Sequence, residues 1–209
     1  MTRPLVITDC DEVLLHMVRH FRDWMAEHHG VHFDLGGNPF GEAFILPGRS
    51  EPLSYEEKWR FLDAFFGDQM GRQTEIEGAV AAMAELQRTA DVVVLTNLQD
   101  RYNAARVEQL RAHGFAAPVY TNQGPKGPAL RLIVARYRPS RAVFVDDLAH
   151  HHVSAADSVP EIGRLHFCGE PHIAPHVECA HRSGHAHARI DRWSEALPWL
   201  LERLHGDRP

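Results

Sequence analysis

Apolar and polar positions along this chain follow two periods in turn. Leu5-Val6-Ile7-Thr8 is a short apolar run ending at Asp9, and it predicts a buried strand. From Val13 to about His29, the residues Leu14, Val18, Phe21, Trp24 and Met25 recur at helical spacing, and Gly30 closes the segment. Residues 34–52 hold four Gly and three Pro and predict loop. Ser54 followed by Glu57 has the form of a capping box, after which Trp59, Leu62, Phe65 and Phe66 trace a helix face as far as Gly67. Gly78 to Arg88 is Ala-rich and predicts a helix.

The register then shortens. Asp91 to Asn97 is a second buried-strand run, followed by a helical segment from Arg101 to His113 that stops at Gly114. Pro118 to Thr121 predicts a short strand and Pro128 to Tyr137 a helix. Ala142-Val143-Phe144-Val145 is a third strong strand, ending in Asp146-Asp147, and Gly163 to Cys168 supplies a fifth. Residues 169–188 are rich in His and Pro and predict loop. Ser194 to His205 predicts a closing helix with Pro198 placed awkwardly inside it.

Strands alternating with helices imply right-handed crossovers. The expected fold class is therefore α/β: a doubly wound, mostly parallel five-stranded sheet. The segment between the first two long strands exceeds an ordinary crossover and reads as an inserted helical cap. This divides the chain into a core of residues 1–15 and 76–209 and a cap of residues 16–75.

Composition narrows the function. With 22 Lys plus Arg against 28 Asp plus Glu, the formal net charge is −6, which argues against nucleic acid as a partner. No run approaches the ~18 apolar residues of a membrane span, and the N-terminus lacks the pattern of a signal peptide. The expectation is a cytoplasmic protein acting on a small molecule. Three Cys at irregular spacing, Cys10, Cys168 and Cys179, do not form a disulfide framework. Cys168, Cys179 and His181, with other His nearby, are zinc ligands in type only, and the segment reads better as a polar loop.

In a parallel sheet the ligand lies beyond the carboxyl ends of the strands. Three strands here end in polar or acidic residues: Asp9, then Thr96 and Asn97, then Asp146 and Asp147. Asp9 and Asp11 can border one pocket, and close carboxylates tend toward different protonation states. Mg²⁺ prefers such hard oxygen ligands. Clustered acids would repel a phosphate unless a cation stands close, and Lys126 lies at the same end of the sheet. Thr96 offers a hydroxyl.

The set resembles the haloacid dehalogenase-like superfamily, in its phosphatase branch. Asp9-Cys10-Asp11-Glu12-Val13 matches the family's first motif, Asp-x-Asp-x-Thr/Val. Thr96, Lys126 and Asp146-Asp147 match the second, third and fourth, in order, across residues 5–150. The resemblance implies hydrolysis of a small phosphate monoester, a nucleotide or sugar phosphate among the options, through an aspartyl-phosphate on Asp9. Asp11 would act as general acid and base. Thr96, Asn97 and Lys126 would bind the phosphoryl oxygens. Asp9, the Asp11 carbonyl, Asp146 and Asp147 would hold Mg²⁺. Asp11 favours phosphoryl chemistry over dehalogenation, while Glu12 departs from the small residue common in the family. Transfer to an acceptor other than water, as in a mutase, and a non-catalytic binding role are the rival readings. In the cap, Trp24, Phe44, Trp59, Phe61, Phe65 and Phe66 read as core, with His16, Arg49 and Lys58 as candidate substrate contacts.

Overall fold

The computed structural model describes residues 2–36 and 44–206. In chain order the elements are β1 (Leu5–Thr8), β2 (Leu15–His16), α1 (Val18–His29), α2 (Tyr55–Asp68), β3 (Thr74–Glu75), α3 (Ala79–Thr89), β4 (Asp91–Asn97), α4 (Asn103–Ala112), β5 (Val119–Asn122), α5 (Gly127–Tyr137), β6 (Ala142–Asp146), α6 (Ala149–Ser158), β7 (Gly163–His166), β8 (Ala188–Arg189) and α7 (Trp193–His205). The main sheet has the order β5-β4-β1-β6-β7-β8, and every pair in it is parallel.

Both faces of that sheet are covered, which explains the unbroken apolar runs. Val6, Val92, Val94, Val143 and Val145 pack with Met83 and Leu86 of α3 and Trp193 and Leu200 of α7. Leu5, Ile7, Val93, Leu95 and Phe144 point to the other face, against Leu130 and Ile133 of α5 and Ala155 of α6. Successive residues thus serve opposite layers, as a pleated strand requires. The expected doubly wound sheet is present, with β8 as a sixth strand beyond the five expected. Its two residues lie at the end of a segment that composition marks as loop.

A further apolar cluster belongs to the segment between β1 and α3. Phe21, Trp24 and Met25 of α1 meet Leu62, Phe65 and Phe66 of α2, with Phe44 and Leu53 from the link. Leu98, Cys168 and Ile173, from loops at the strand ends, join the same cluster. The aromatics of this segment are therefore mostly core, although Trp59 is exposed and stacks edge-on with Tyr55. The capping box of α2 forms as expected: Glu57 N–H donates to the Ser54 hydroxyl at 3.2 Å, and Ser54 N–H donates to Glu57 Oε2 at 2.8 Å. Part of the Gly/Pro-rich loop, 37–43, lies outside the described residues.

One expectation fails at the start of this segment. Residues 13–17 are not helical; a tight turn leads into β2, which pairs antiparallel with β3. Glu12 adopts φ 59°, a left-handed conformation that stops a right-handed helix before it starts. The carbonyl of Cys10 accepts from the N–H groups of Val13, Leu14 and Leu15. Val13 and Leu14 are apolar because they pack into the sheet core. Among the described residues, no helix is long and apolar enough to cross a membrane.

Candidate active site

The sheet places β1 between β4 and β6, at the point where the strand order reverses, so the carboxyl ends of three strands share one crevice. Thr8 is level with Val145, and Asp9 N–H donates to the Val145 carbonyl at 2.9 Å, which brings Asp9 beside Asp146. Lys126, one residue before α5, stands between them. Its ammonium lies 2.9 Å from Asp9 Oδ2 and 2.6 Å from Asp146 Oδ2, and the lysine side chain is fully buried. Ligand oxygens of Asp9, Asp146 and Asp147 all fall within 4.8 Å of one another.

Each carboxylate also has a fixed orientation. Asp9 Oδ1 accepts from Cys10 N–H at 2.7 Å, and Asp146 Oδ1 accepts from Leu148 N–H at 2.9 Å. Three close acids and one lysine cannot all ionise without cost in a buried site. Burial raises the Asp9 carboxyl to about 7, with Lys126 opposing and Asp146 and Asp11 adding to the rise. Asp147 is raised well above the usual range by burial and then by Asp146 and Asp9. Burial works against ionisation of Asp146 too, but Lys126 overcomes it and the carboxyl lies below its ordinary value. On Lys126 the two carboxylates overcome desolvation and hold the ammonium charged. The cluster has an unmet need for positive charge, and hard oxygen donors at this spacing suit a divalent cation such as Mg²⁺.

Thr96, at the end of β4, is fully buried, and among the described residues its hydroxyl has no hydrogen-bond partner. A buried orphan of this kind costs roughly 1–3 kcal/mol, and such atoms are few in folded proteins. Asn97 is differently placed. Its amide donates to the Gly124 carbonyl at 3.0 Å and lies 3.2 Å from His151 Nε2, and its oxygen accepts from Asn122 at 2.7 Å. Those bonds tie the end of β4 to the loop that carries Lys126.

Asp11 is not among the clustered carboxylates. Arg106 of α4 grips it with 3.0 and 2.9 Å contacts to its two oxygens, and Gln73 donates to Oδ1 at 2.6 Å. Arg106 is fully buried and also reaches Cys10 Sγ, Gln73 and Gln109. This pair is absent from the sequence reading. The available signal was an arginine in register with Leu110 on the inward stripe of a helix, where a charge needs a buried partner. Cys10 is sealed in the core, where burial pushes its thiol up, in keeping with a packing role.

Of the other singled-out residues, Arg49 pairs with Glu57 and Lys58 lies over the Phe44 ring. His16 meets Glu12 and Glu170. His151 and His152 are buried behind Asp146, with His152 Nε2 3.0 Å from the Asp146 carbonyl. Desolvation lowers both, and His151 falls to about 4, so they stay neutral. Among the described residues, neither group able to hold a metal contains Cys168 or Cys179.

No known family profile matches the sequence, and no curated protein matches it. Solved structures do match. A haloacid dehalogenase-like hydrolase from Streptococcus pneumoniae superposes with a TM-score of 0.68 at 13% identity, over 96% of this chain and 98% of its own. A hydrolase of the same family from Deinococcus radiodurans, with bound phosphate and sodium, gives 0.68 at 16% identity over 95% of each chain. A candidate beta-phosphoglucomutase from Thermotoga maritima gives 0.61 at 18% identity, over 95% of this chain and 99% of its own. The fold of this chain is that of the haloacid dehalogenase-like hydrolases.

Proposed function

We propose that this chain, built on the haloacid dehalogenase-like fold, is a phosphatase of small phosphate monoesters that works through Asp9. The observation that carries the reading is the buried Lys126 held between Asp9 and Asp146, with Asp147 alongside. A structural ion pair needs one acid, whereas a third buried carboxylate is explained by a cation and an anionic substrate. Asp9, Asp146 and Asp147 would hold Mg²⁺, which when bound would offset their charge and that of the phosphoryl group.

The chain's own residues supply the rest. Asp9 attacks phosphorus as the ester P–O bond breaks, and the departing alcohol takes a proton from Asp11. Water then attacks phosphorus and gives its proton to Asp11, the P–O bond to Asp9 breaks, and inorganic phosphate leaves. Lys126 and the unpaired Thr96 hydroxyl stabilise the phosphoryl oxygens through both steps. Asp11 has to turn from Arg106 and Gln73 toward the leaving group, so Arg106 sets its resting position. Residues 16–75 would act as a cap that limits access and excludes water.

The test is phosphate release from p-nitrophenyl phosphate and a panel of sugar and nucleoside phosphates, with Mg²⁺ or EDTA. Mg²⁺-dependent release that disappears in Asp9→Asn supports the reading. Equal release by the variant would remove Asp9 from the chemistry. Stoichiometric phosphate separates hydrolysis from transfer to another acceptor.

A further inference from the structure

We infer that Glu12, His16 and Glu170 form a second cation site, distinct from the Asp9–Asp146–Asp147 cluster and suited to a transition-metal ion such as Zn²⁺. The three side chains are buried, and one ligand atom of each falls within 4.8 Å of the other two. His16 Nδ1 lies 3.3 Å from Glu170 Oε2 and 3.9 Å from Glu12 Oε2. Ligands at ~2.0–2.2 Å around a tetrahedral ion stand about 3.3–3.6 Å apart, so little movement is needed.

The orientation of the donors is the stronger argument. Glu12 Oε1 is used by the N–H groups of Met17 and Val18, at 2.9 and 2.6 Å, while its buried Oε2 has no hydrogen bond among the described residues and faces His16. His16 Nδ1 is also buried, has no well-directed hydrogen bond among the described residues and faces both carboxylates. Glu170 accepts from His172 N–H on Oε1 at 3.2 Å and turns Oε2 to His16. Each carboxylate is thus tied down through one oxygen and presents the other, as outer partners do for metal-ligating acids. Arg19 reaches the same Glu170 oxygen at 2.6 Å, but a carboxylate oxygen has two lone pairs and can face both.

Glu12 sits at φ 59°, where a side chain costs energy that glycine would avoid, and such strain persists where the surroundings over-determine it. Imidazole nitrogen with two carboxylate oxygens suits Zn²⁺ and its neighbours better than Mg²⁺. The ligands come from the turn after β1, from β2 and from the loop after β7, so a bound ion would tie the base of α1 to the sheet.

The experiment uses the full chain with Mg²⁺ in saturating excess and titrates ZnCl₂ by calorimetry. The imidazole signals of His16 are followed by NMR, and Tm is measured with and without Zn²⁺. The expected result is one Zn²⁺ per chain, a shifted His16 signal and a raised Tm. Affinity should fall at least tenfold in His16→Ala and in Glu170→Gln, and persist in Asp147→Asn. The near-isosteric Glu170→Gln and the NMR signal carry the test if His16→Ala does not fold. Unchanged Zn²⁺ binding in both variants would assign the ion to the histidine-rich segment 172–187 and overturn the proposal. So would an unmoved His16 signal, or loss of Zn²⁺ in Asp147→Asn.

Discussion

Replacing Lys126 by Met removes the one ammonium that faces both Asp9 and Asp146 while keeping most of its volume. Both acids are buried, at 2.9 and 2.6 Å from it, and neither gains access to water in exchange. Leaving buried charges unpaired costs about 3–5 kcal/mol. At roughly 2–4 °C per kcal/mol for a chain of this size, Tm should fall by roughly 6–20 °C. The sign with pH follows from the same contacts. Without the lysine, the folded-state pKa of Asp9 rises further above its unfolded value, and that of Asp146, held below its ordinary value by Lys126, rises as well. The variant is then most nearly normal at low pH, where both acids are protonated, and falls behind as pH rises through those values. The assay is urea unfolding of wild type and Lys126→Met in EDTA from pH 5 to 8, repeated at pH 8 with Mg²⁺. The deficit should grow with pH and shrink on adding Mg²⁺. An equal deficit at pH 5 and pH 8 would mean that Lys126 contributes packing, and would refute the electrostatic argument.

Gly127→Ala should lower stability by about 1–3 kcal/mol and phosphate release with it, because the added Cβ would lie 2.2 Å from the Ser154 carbonyl and push α5, and so Lys126, out of place; differential unfolding and a phosphate assay check both. Arg106→Met should cut kcat at least tenfold with little change in KM, since it unseats Asp11 without touching the phosphate cradle, and Arg106→Lys should fail to restore it because one guanidinium nitrogen holds Asp11 while the other holds Cys10, Gln73 and Gln109, and a single ammonium cannot do both; steady-state kinetics decide this, and an unchanged kcat would remove Arg106 from the mechanism. Burial and then Arg189 lower buried His166 to about 3 from its usual 6.5, so its contribution to stability is complete above pH 6.5 and is lost as pH falls toward 3, by up to about 5 kcal/mol. Urea unfolding across that range should show the decline, and His166→Gln should flatten it.

The sheet was legible because its strands are buried on both faces and so read as unbroken apolar runs, each ending in a polar residue at the same edge. The same logic singled out Asp9, Thr96 and Asp146 as polar ends of apolar strands, and the structure brings Asp9 and Asp146 together with Lys126 from the loop before α5. Two features escaped. Val13 and Leu14 continue a helical spacing, yet the left-handed Glu12 and the shared Cys10 carbonyl turn them into the sheet core instead. The grip of Arg106 on Asp11 spans 95 positions, and no local pattern encodes a contact so far apart in sequence. Asn97 shows a third limit. Its bonds to Gly124 and Asn122 arise from a loop whose path only the folded chain defines.

The central claim is a covalent bond between phosphorus and Asp9, and chemical trapping tests it most directly. The wild-type chain is quenched during turnover of its best substrate with Mg²⁺, reduced with borohydride and mapped by peptide mass spectrometry. The account predicts conversion of Asp9 to homoserine, dependent on substrate and absent in Asp9→Asn. Turnover that continues with Asp9 unmodified, or with the modification on another acid, would contradict it.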